Sequence, residues 1–332
     1  MSNQLNQSTL QQREKDRRFT LSYLFTEYGI ILAFIVLVIA LSFASPFFLR
    51  PKNIINVFRQ TSVNALLALG MTFVILTGGI DLSVGSVLAF GGIVSASLAS
   101  DAMGGSIQHP LVAASAGLLG GLVLGAMNGL FVAKWRMPAF VVTLGMLSMA
   151  RGFTFIYSDG MPVPRIDEGF LVFGQGMFLG VPFPVIITAI VFAVSWIVLY
   201  KTRYGRYVYA VGGNEKSAKI SGVNTRWIIF TVYVISGALS ALGGIILTAR
   251  TTAGLPQAGQ AYELDAIAAV VIGGTSLSGG QGSLVGTLIG ALLIGVINNG
   301  LDLLGVSSYF QQVIKGAIII GAVLLDSFRK KQ

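Results

Sequence analysis

The stretch GGIDLSVGSVLAFGG, Gly78 to Gly92, decides how this chain is read. It places one carboxylate, Asp81, among glycine pairs and small residues, directly after the apolar run ALLALGMTFVIL, 65–76. A charge and a soft backbone inside an apolar mass make sense where a membrane helix is interrupted. Irregular backbone survives at membrane depth only where protein covers it or water reaches it.

The rest of the chain supports a membrane setting. Of its 332 residues, 54% are hydrophobic and 11% charged, against roughly 25% charged in soluble domains. The apolar residues fall in long blocks, and several reach the roughly 20 residues that a bilayer-spanning helix needs. The spacing predicts helices near 29–49, 54–77, 82–100, 110–133, 138–157, 183–200, 227–248, 261–275, 284–300 and 310–326. The sequence thus predicts an all-α polytopic membrane protein with about ten transmembrane helices and both termini cytoplasmic. Residues 1–28 form an N-terminal tail, 29–326 the membrane domain, and 327–332 a C-terminal tail. The eighth segment is short in apolar residues, so its crossing has to include Glu263 and Asp265.

Basic residues test the orientation, because cytoplasmic loops carry an excess of Lys and Arg. With the N-terminus inside, the inner segments hold Arg13, Lys15, Arg17 and Arg18, then Lys134 and Arg136, then the Lys201–Arg226 loop, then Arg329, Lys330 and Lys331. Seven basic residues fall elsewhere: Arg50, Lys52, Arg59, Arg151, Arg165, Arg250 and Lys315. This asymmetry accounts for most of the +9 net charge and leaves nothing pointing to a nucleic-acid partner. It also favours a true eighth crossing, which keeps the basic C-terminal tail inside.

Asp81-Leu82 through Gly91-Gly92 aligns with Glu263-Leu264 through Gly273-Gly274. In both, an acid and a leucine lead into small and apolar residues, with a glycine pair ten residues after the acid. The offset pairs the third predicted helix with the eighth, so the copies run in opposite senses, as in inverted repeats. A rival match sets Gly78–Gly85 against Gly273–Gly280 and implies parallel repeats. Both matches point to the same glycine-interrupted segments, which in transporters mark a pathway.

No catalytic constellation is present. The chain lacks cysteine, which excludes disulfides and cysteine metal sites. It also lacks G-x-x-x-x-G-K-[ST] and H-E-x-x-H. No catalytic, metal or cofactor residue is expected, and ATP hydrolysis would need another chain. The polar residues at membrane depth are candidates for a pathway: Gln60, Asn64, Asp81, Ser83, Glu263, Asp265, Asn298 and Asn299. Asp81 either caps the third helix or lines the path, and the asparagines either pack helices or face water. Arg151 and Lys315 read as ion-pair or snorkelling residues. In KTRYGRYVYAVGGNEKSAKISGVNTR, 201–226, a short helix over Asn214–Ile220 is expected, with Asn214 as its cap and Gly222 as its stop. Such a helix is a handle for a cytoplasmic partner.

Four long stretches carry a family resemblance: QTSVNALLALGMTFVILTGGIDLSVGS, GRYVYAVGGNEKSAKISGVN, YELDAIAAVVIGGTSLSGGQGS and NNGLDLLGVSSYFQ. They resemble the permease subunits of bacterial ABC-type sugar importers, above all those for ribose, over nearly the whole chain after about residue 25. The resemblance implies a homodimer in the bacterial inner membrane, surrounded by lipid. It implies a cytoplasmic ATPase, one chain with two nucleotide-binding domains, that binds ATP and Mg, and a periplasmic sugar-binding protein that delivers the sugar. It assigns Gly212, Gly213, Asn214, Glu215, Lys216, Ser217, Ala218 and Gly222 to the segment that docks on the ATPase. Relatives read Asn-Glu-Ala-Ala there, whereas this chain reads Asn214-Glu215-Lys216-Ser217, so its docking is expected to suit its own partner. The expected function is sugar translocation, with another sugar, autoinducer-2, a proton-coupled carrier or a passive channel as alternatives.

Overall fold

The computed structural model describes residues 21–329. The parts of the expected tails at 1–20 and 330–332 lie outside the described residues. The chain folds into helices α1 (Leu21–Ala44), α2 (Pro51–Leu76), α3 (Val84–Leu98), α4 (Pro110–Trp135), α5 (Ala139–Tyr157), α6 (Glu168–Gln175), α7 (Phe183–Lys201), α8 (Arg203–Gly213), α9 (Glu215–Ile220), α10 (Thr225–Thr251), α11 (Tyr262–Ile272), α12 (Leu284–Leu303) and α13 (Ser308–Arg329). Each of the ten expected apolar segments corresponds to one of these helices. The first begins at Leu21, inside the stretch expected to be tail. Sequence reasoning missed α6 and α8, which are short, and a hairpin between them. That hairpin pairs β1 (Met177–Phe178) with β2 (Val181–Pro182) antiparallel. Leu179 and Gly180 both take positive φ in its turn, as a tight hairpin requires.

Among the described residues, six helices are long and apolar enough to cross a membrane: α2, α4, α5, α7, α10 and α12. Burial sorts them. The apolar window of α2 is 89% buried and that of α12 61%, whereas the α7 window is only 22% buried. In water, exposed residues such as Leu119, Val123, Phe140, Ile190 and Val194 would be a liability. In a bilayer, they are the surface that meets lipid. The core lies around α2, α10 and α12.

Lipid removes the usual hydrophobic drive between helices, so close packing has to hold them. Glycines supply it. At Gly91 an added Cβ would come within 2.7 Å of the Ala241 Cβ, and at Gly125 within 2.5 Å of the Tyr233 carbonyl oxygen. Helices α3, α4 and α10 therefore touch backbone to backbone.

The contacts follow a repeating scheme. Helix α10 packs across α3 and α4 as α2 packs across α11 and α12. Helix α3 leans on α5 as α11 leans on α13, and α2 and α10 pack against each other. The third and eighth expected helices occupy matching places, and both are short. Helix α11, with 11 residues, spans about 16 Å, little more than half of a ~30 Å hydrocarbon core. The irregular stretches 252–261 and 273–283 flank it.

Candidate functional site at the glycine junctions

Two glycine-rich junctions interrupt the buried helices: 77–83 between α2 and α3, and 273–283 between α11 and α12. They lie side by side. The Gly280 amide donates to the Leu76 carbonyl over 2.9 Å. A Cβ on Gly279 would stand 2.8 Å from the Gly78 nitrogen. The rival alignment matched Gly78–Gly79 with Gly273–Gly274; the residues that meet Gly78 in space are Ser278 and Gly279.

Helix α8 presses on this meeting point. A methyl at Gly212 would overlap the Leu76 carbonyl oxygen, and the Gly280 backbone packs against Gly213. Tyr209 donates from its hydroxyl to the Gly282 carbonyl over 2.9 Å. Burial raises the Tyr209 phenol above its ordinary range, so it remains a neutral donor. Tyr200, at the end of α7, accepts from the Leu284 amide over 3.2 Å. The polar 201–226 segment is thus bolted to the second junction and wedged against the first.

Helix α9 follows from its local sequence. The Asn214 side chain accepts from the Ser217 amide over 2.9 Å, which supplies the expected cap. Gly222, with φ of 85°, ends the segment in the left-handed region that favours glycine. Ala218 is buried and anchors the helix, while Gly213, Asn214, Lys216, Ser217 and Gly222 are exposed. Glu215 turns inward: Thr225 donates to it over 3.0 Å and Arg136 lies 3.3 Å away. Sequence reasoning missed Ile220, an aliphatic side chain 88% exposed at the end of α9. Its isolation on a polar helix was the available signal. A cavity of about 280 Å³ opens beneath α9, lined by Thr77, Gly78, Gly79, Arg136, Glu215 and Tyr233 among others.

Asp81 is buried, with 1% of its surface exposed. Its carboxylate accepts from the Ser83 amide at 3.0 Å, the Ser83 hydroxyl at 2.6 Å and the Ser236 hydroxyl at 2.8 Å. Asn128 donates to the Ser83 oxygen over 2.9 Å. The cap position of α3 belongs to Ser83 itself, and its hydroxyl turns to Asp81 instead of the helix. The acid acts one step back, tying the junction to α4 and α10.

The other candidates separate into distinct places. Asp265 accepts from Lys315 at 2.8 Å and from Asn298 at 3.2 Å, joining α11, α12 and α13. The ion-pair expectation for Lys315 is met. Arg151 instead donates to two loop carbonyls, Pro256 at 2.6 Å and Ala258 at 2.8 Å. Asn299 exchanges hydrogen bonds with Asn53, each 2.9 Å long. Gln60 is half-buried and Asn64 buried on α2. Glu263 stands beside the start of α3: a Cβ on Gly85 would lie 2.6 Å from its Oε2. The two aligned acid-bearing stretches therefore meet at Gly85 and Glu263, and Gly85 also packs on Gly259, just before the second stretch. Partners missed from the sequence are Asn53, Asn128 and Ser236, whose residue types are ordinary in membrane helices.

A family model described as "Branched-chain amino acid transport system / permease component" matches residues 53–323. The chain is 48% identical to a protein named ribose import permease protein RbsC from Bacillus subtilis, over 97% of this chain and 99% of the relative. It is 50% identical to the Escherichia coli K12 protein of the same name, over 95% and 97% of the two chains. A D-allose transport system permease protein from Escherichia coli K12 is 41% identical over 94% and 95%. No solved structure matches the chain. A family match over most of the length, relatives alike almost end to end and the apolar helices agree: this chain belongs to the family of transport-system permease components and is a multi-pass membrane protein.

Proposed function

We propose that this chain is the membrane-spanning subunit of a bacterial ATP-binding cassette importer for ribose. Ribose delivered by a periplasmic binding protein passes through a homodimer of the chain. A separate cytoplasmic ATPase, which binds ATP and Mg, supplies the work. The observation that carries the reading of ribose is the near end-to-end likeness to two permeases named for that sugar, at 48% and 50% identity. The allose-named relative, at 41%, is more distant.

The geometry fits such a division of labour. Helices α1, α2, α3, α4, α5, α7, α10, α11, α12 and α13 make ten crossings, so both termini lie in the cytoplasm. Exchanged packing of α2–α5 with α10–α13 supports inverted repeats. The ATPase docks on α9, where Lys216, Ser217 and Ile220 face outward. Displacement of α9 reaches both glycine junctions through α8, because Gly212 has no free space against Leu76 and Gly280. Helices meeting through glycine backbones can slide or rock without unpacking large side chains. A neutral sugar asks for hydroxyl and amide partners more than fixed charge, and the acids in the interior are already engaged. Gln60, Asn64, Asp81, Ser83, Glu263, Asp265, Asn298 and Asn299 stand as candidates for lining or supporting the path.

The test is reconstitution in vesicles with the ATPase and the binding protein. Ribose uptake that requires ATP and all three components is expected. Uptake by the chain alone, or a preference for allose over ribose, would overturn the assignment.

A further inference from the structure

A second cavity, of about 320 Å³, lies between the end of α4 and the start of α10. Its lining is Leu130, Ala133, Lys134, Asn224, Arg226, Trp227 and Phe230. Two cations and no acid face it. Neither Lys134 nor Arg226 takes part in an ion pair among the described residues. Trp227 stacks on Phe230 with ring centroids 5.6 Å apart, and Trp227 is 58% exposed. Asn224 is occupied as the cap of α10, accepting from the Trp227 amide over 3.1 Å.

The depth of each group is set by helix geometry. Leu130 and Phe230 each lie about 7 Å inside the ends of their helices. Lys134 and Arg226 stand at those ends. An apolar floor, an aromatic ring at the boundary and a rim of positive charge follow one another outward. Such an order matches a phospholipid, whose acyl chain, glycerol region and phosphate follow in the same sequence. Basic pockets between membrane helices on the cytoplasmic side have this character, and aromatic rings favour the headgroup level.

We infer that this cavity is a binding site for an anionic phospholipid of the inner leaflet, with its phosphate between Lys134 and Arg226 and its chain on Leu130 and Phe230. The inference rests on the orientation that puts 201–226 in the cytoplasm. The occupied site stands next to the coupling segment. Arg226 adjoins Thr225, which donates to Glu215, and Lys134 lies two residues before Arg136, which pairs with Glu215. A lipid held there would fix the ends of α4 and α10 against which α9 is set.

The test uses the full chain in phosphatidylcholine nanodiscs, with Trp135→Phe and Trp196→Phe leaving Trp227 as the reporter. Brominated phosphatidylglycerol is expected to quench Trp227 with about 30-fold preference over brominated phosphatidylcholine, two basic contacts at their usual strength. Lys134→Gln with Arg226→Gln should bring the ratio close to one. Lys216→Gln with Lys219→Gln, an equal change of charge outside the cavity, should leave it unchanged. Equal quenching by both lipids, or an equal fall in the control pair, would overturn the site. Relief of quenching by inorganic phosphate would assign the cations to a free ion. Loss of the ATPase from K134Q/R226Q in lipid-free detergent would assign them to protein docking. Transport is not measured, so a wrong sugar leaves the result unaffected.

Discussion

At the scale of single residues, the polar groups buried in this chain work mainly on one another. Asn299 illustrates it. Its amide satisfies both a donor and an acceptor of Asn53, joining α12 to the first turn of α2. Replacing Asn299 by Leu removes both of these bonds and leaves Asn53 with its donation to the Phe48 carbonyl over 2.9 Å, at a cost of about 1–3 kcal/mol. The expected outcome is a lower Tm in detergent, partly recovered by adding Asn53→Leu. A transport defect without any change in Tm would return Asn299 to the pathway. Asp265 follows similar logic with Lys315 and Asn298, and Asp81 with the two serines. A charge left alone at such depth costs at least ~2.5–3.5 kcal/mol, and its partners offset that cost.

Among the elements, α8 carries the connection between the polar face and the interior. Its residues were legible only as part of a basic loop, since its short amphipathic turn is interrupted by glycines. Gly205 and Gly212 are there because the helix lies against bare backbone at both positions. Gly212→Ala forces the Leu76 carbonyl and the Gly280 segment apart. The chain is expected to keep its ATPase yet lose most ribose uptake, with ATP hydrolysis no longer stimulated by loaded binding protein. Gly213→Ala, where an added Cβ meets nothing within 4 Å, should behave nearly as the parent chain. Equal uptake by the two variants would remove Gly212 from the coupling route.

For the whole molecule, the surface divides into a broad apolar belt and a small polar face. Ile220 stands out on that face because none of the described residues covers it. An aliphatic group 88% exposed to water gains by burial against a partner, on the order of 2 kcal/mol. Ile220→Glu should weaken co-purification of the ATPase about tenfold or more while leaving Tm unchanged. Retention of the ATPase at parental levels would show that docking lies elsewhere. Glu215, by contrast, is tied to Arg136 and Thr225, so its substitution is expected to disturb the pose of α9 as well as the contact.

The sequence by itself determined the membrane setting, the ten apolar segments, the capped helix at 214–220 and the stretches of special interest around Asp81 and Glu263. Those features are local: run length, period, caps and glycine pairs act within a few residues, and lipid enforces helix wherever the run is long enough. Only the tertiary structure decided which polar groups are partners. It joined Asp81 to Ser236, Asp265 to Lys315 and Asn299 to Asn53, and it brought Gly212 to Leu76 and Gly280. These pairings span tens to hundreds of residues and depend on how helices cross. Asparagines, serines and glycines are common enough in membrane helices that nothing in the linear order distinguishes a hydrogen-bonded pair from two residues that never meet.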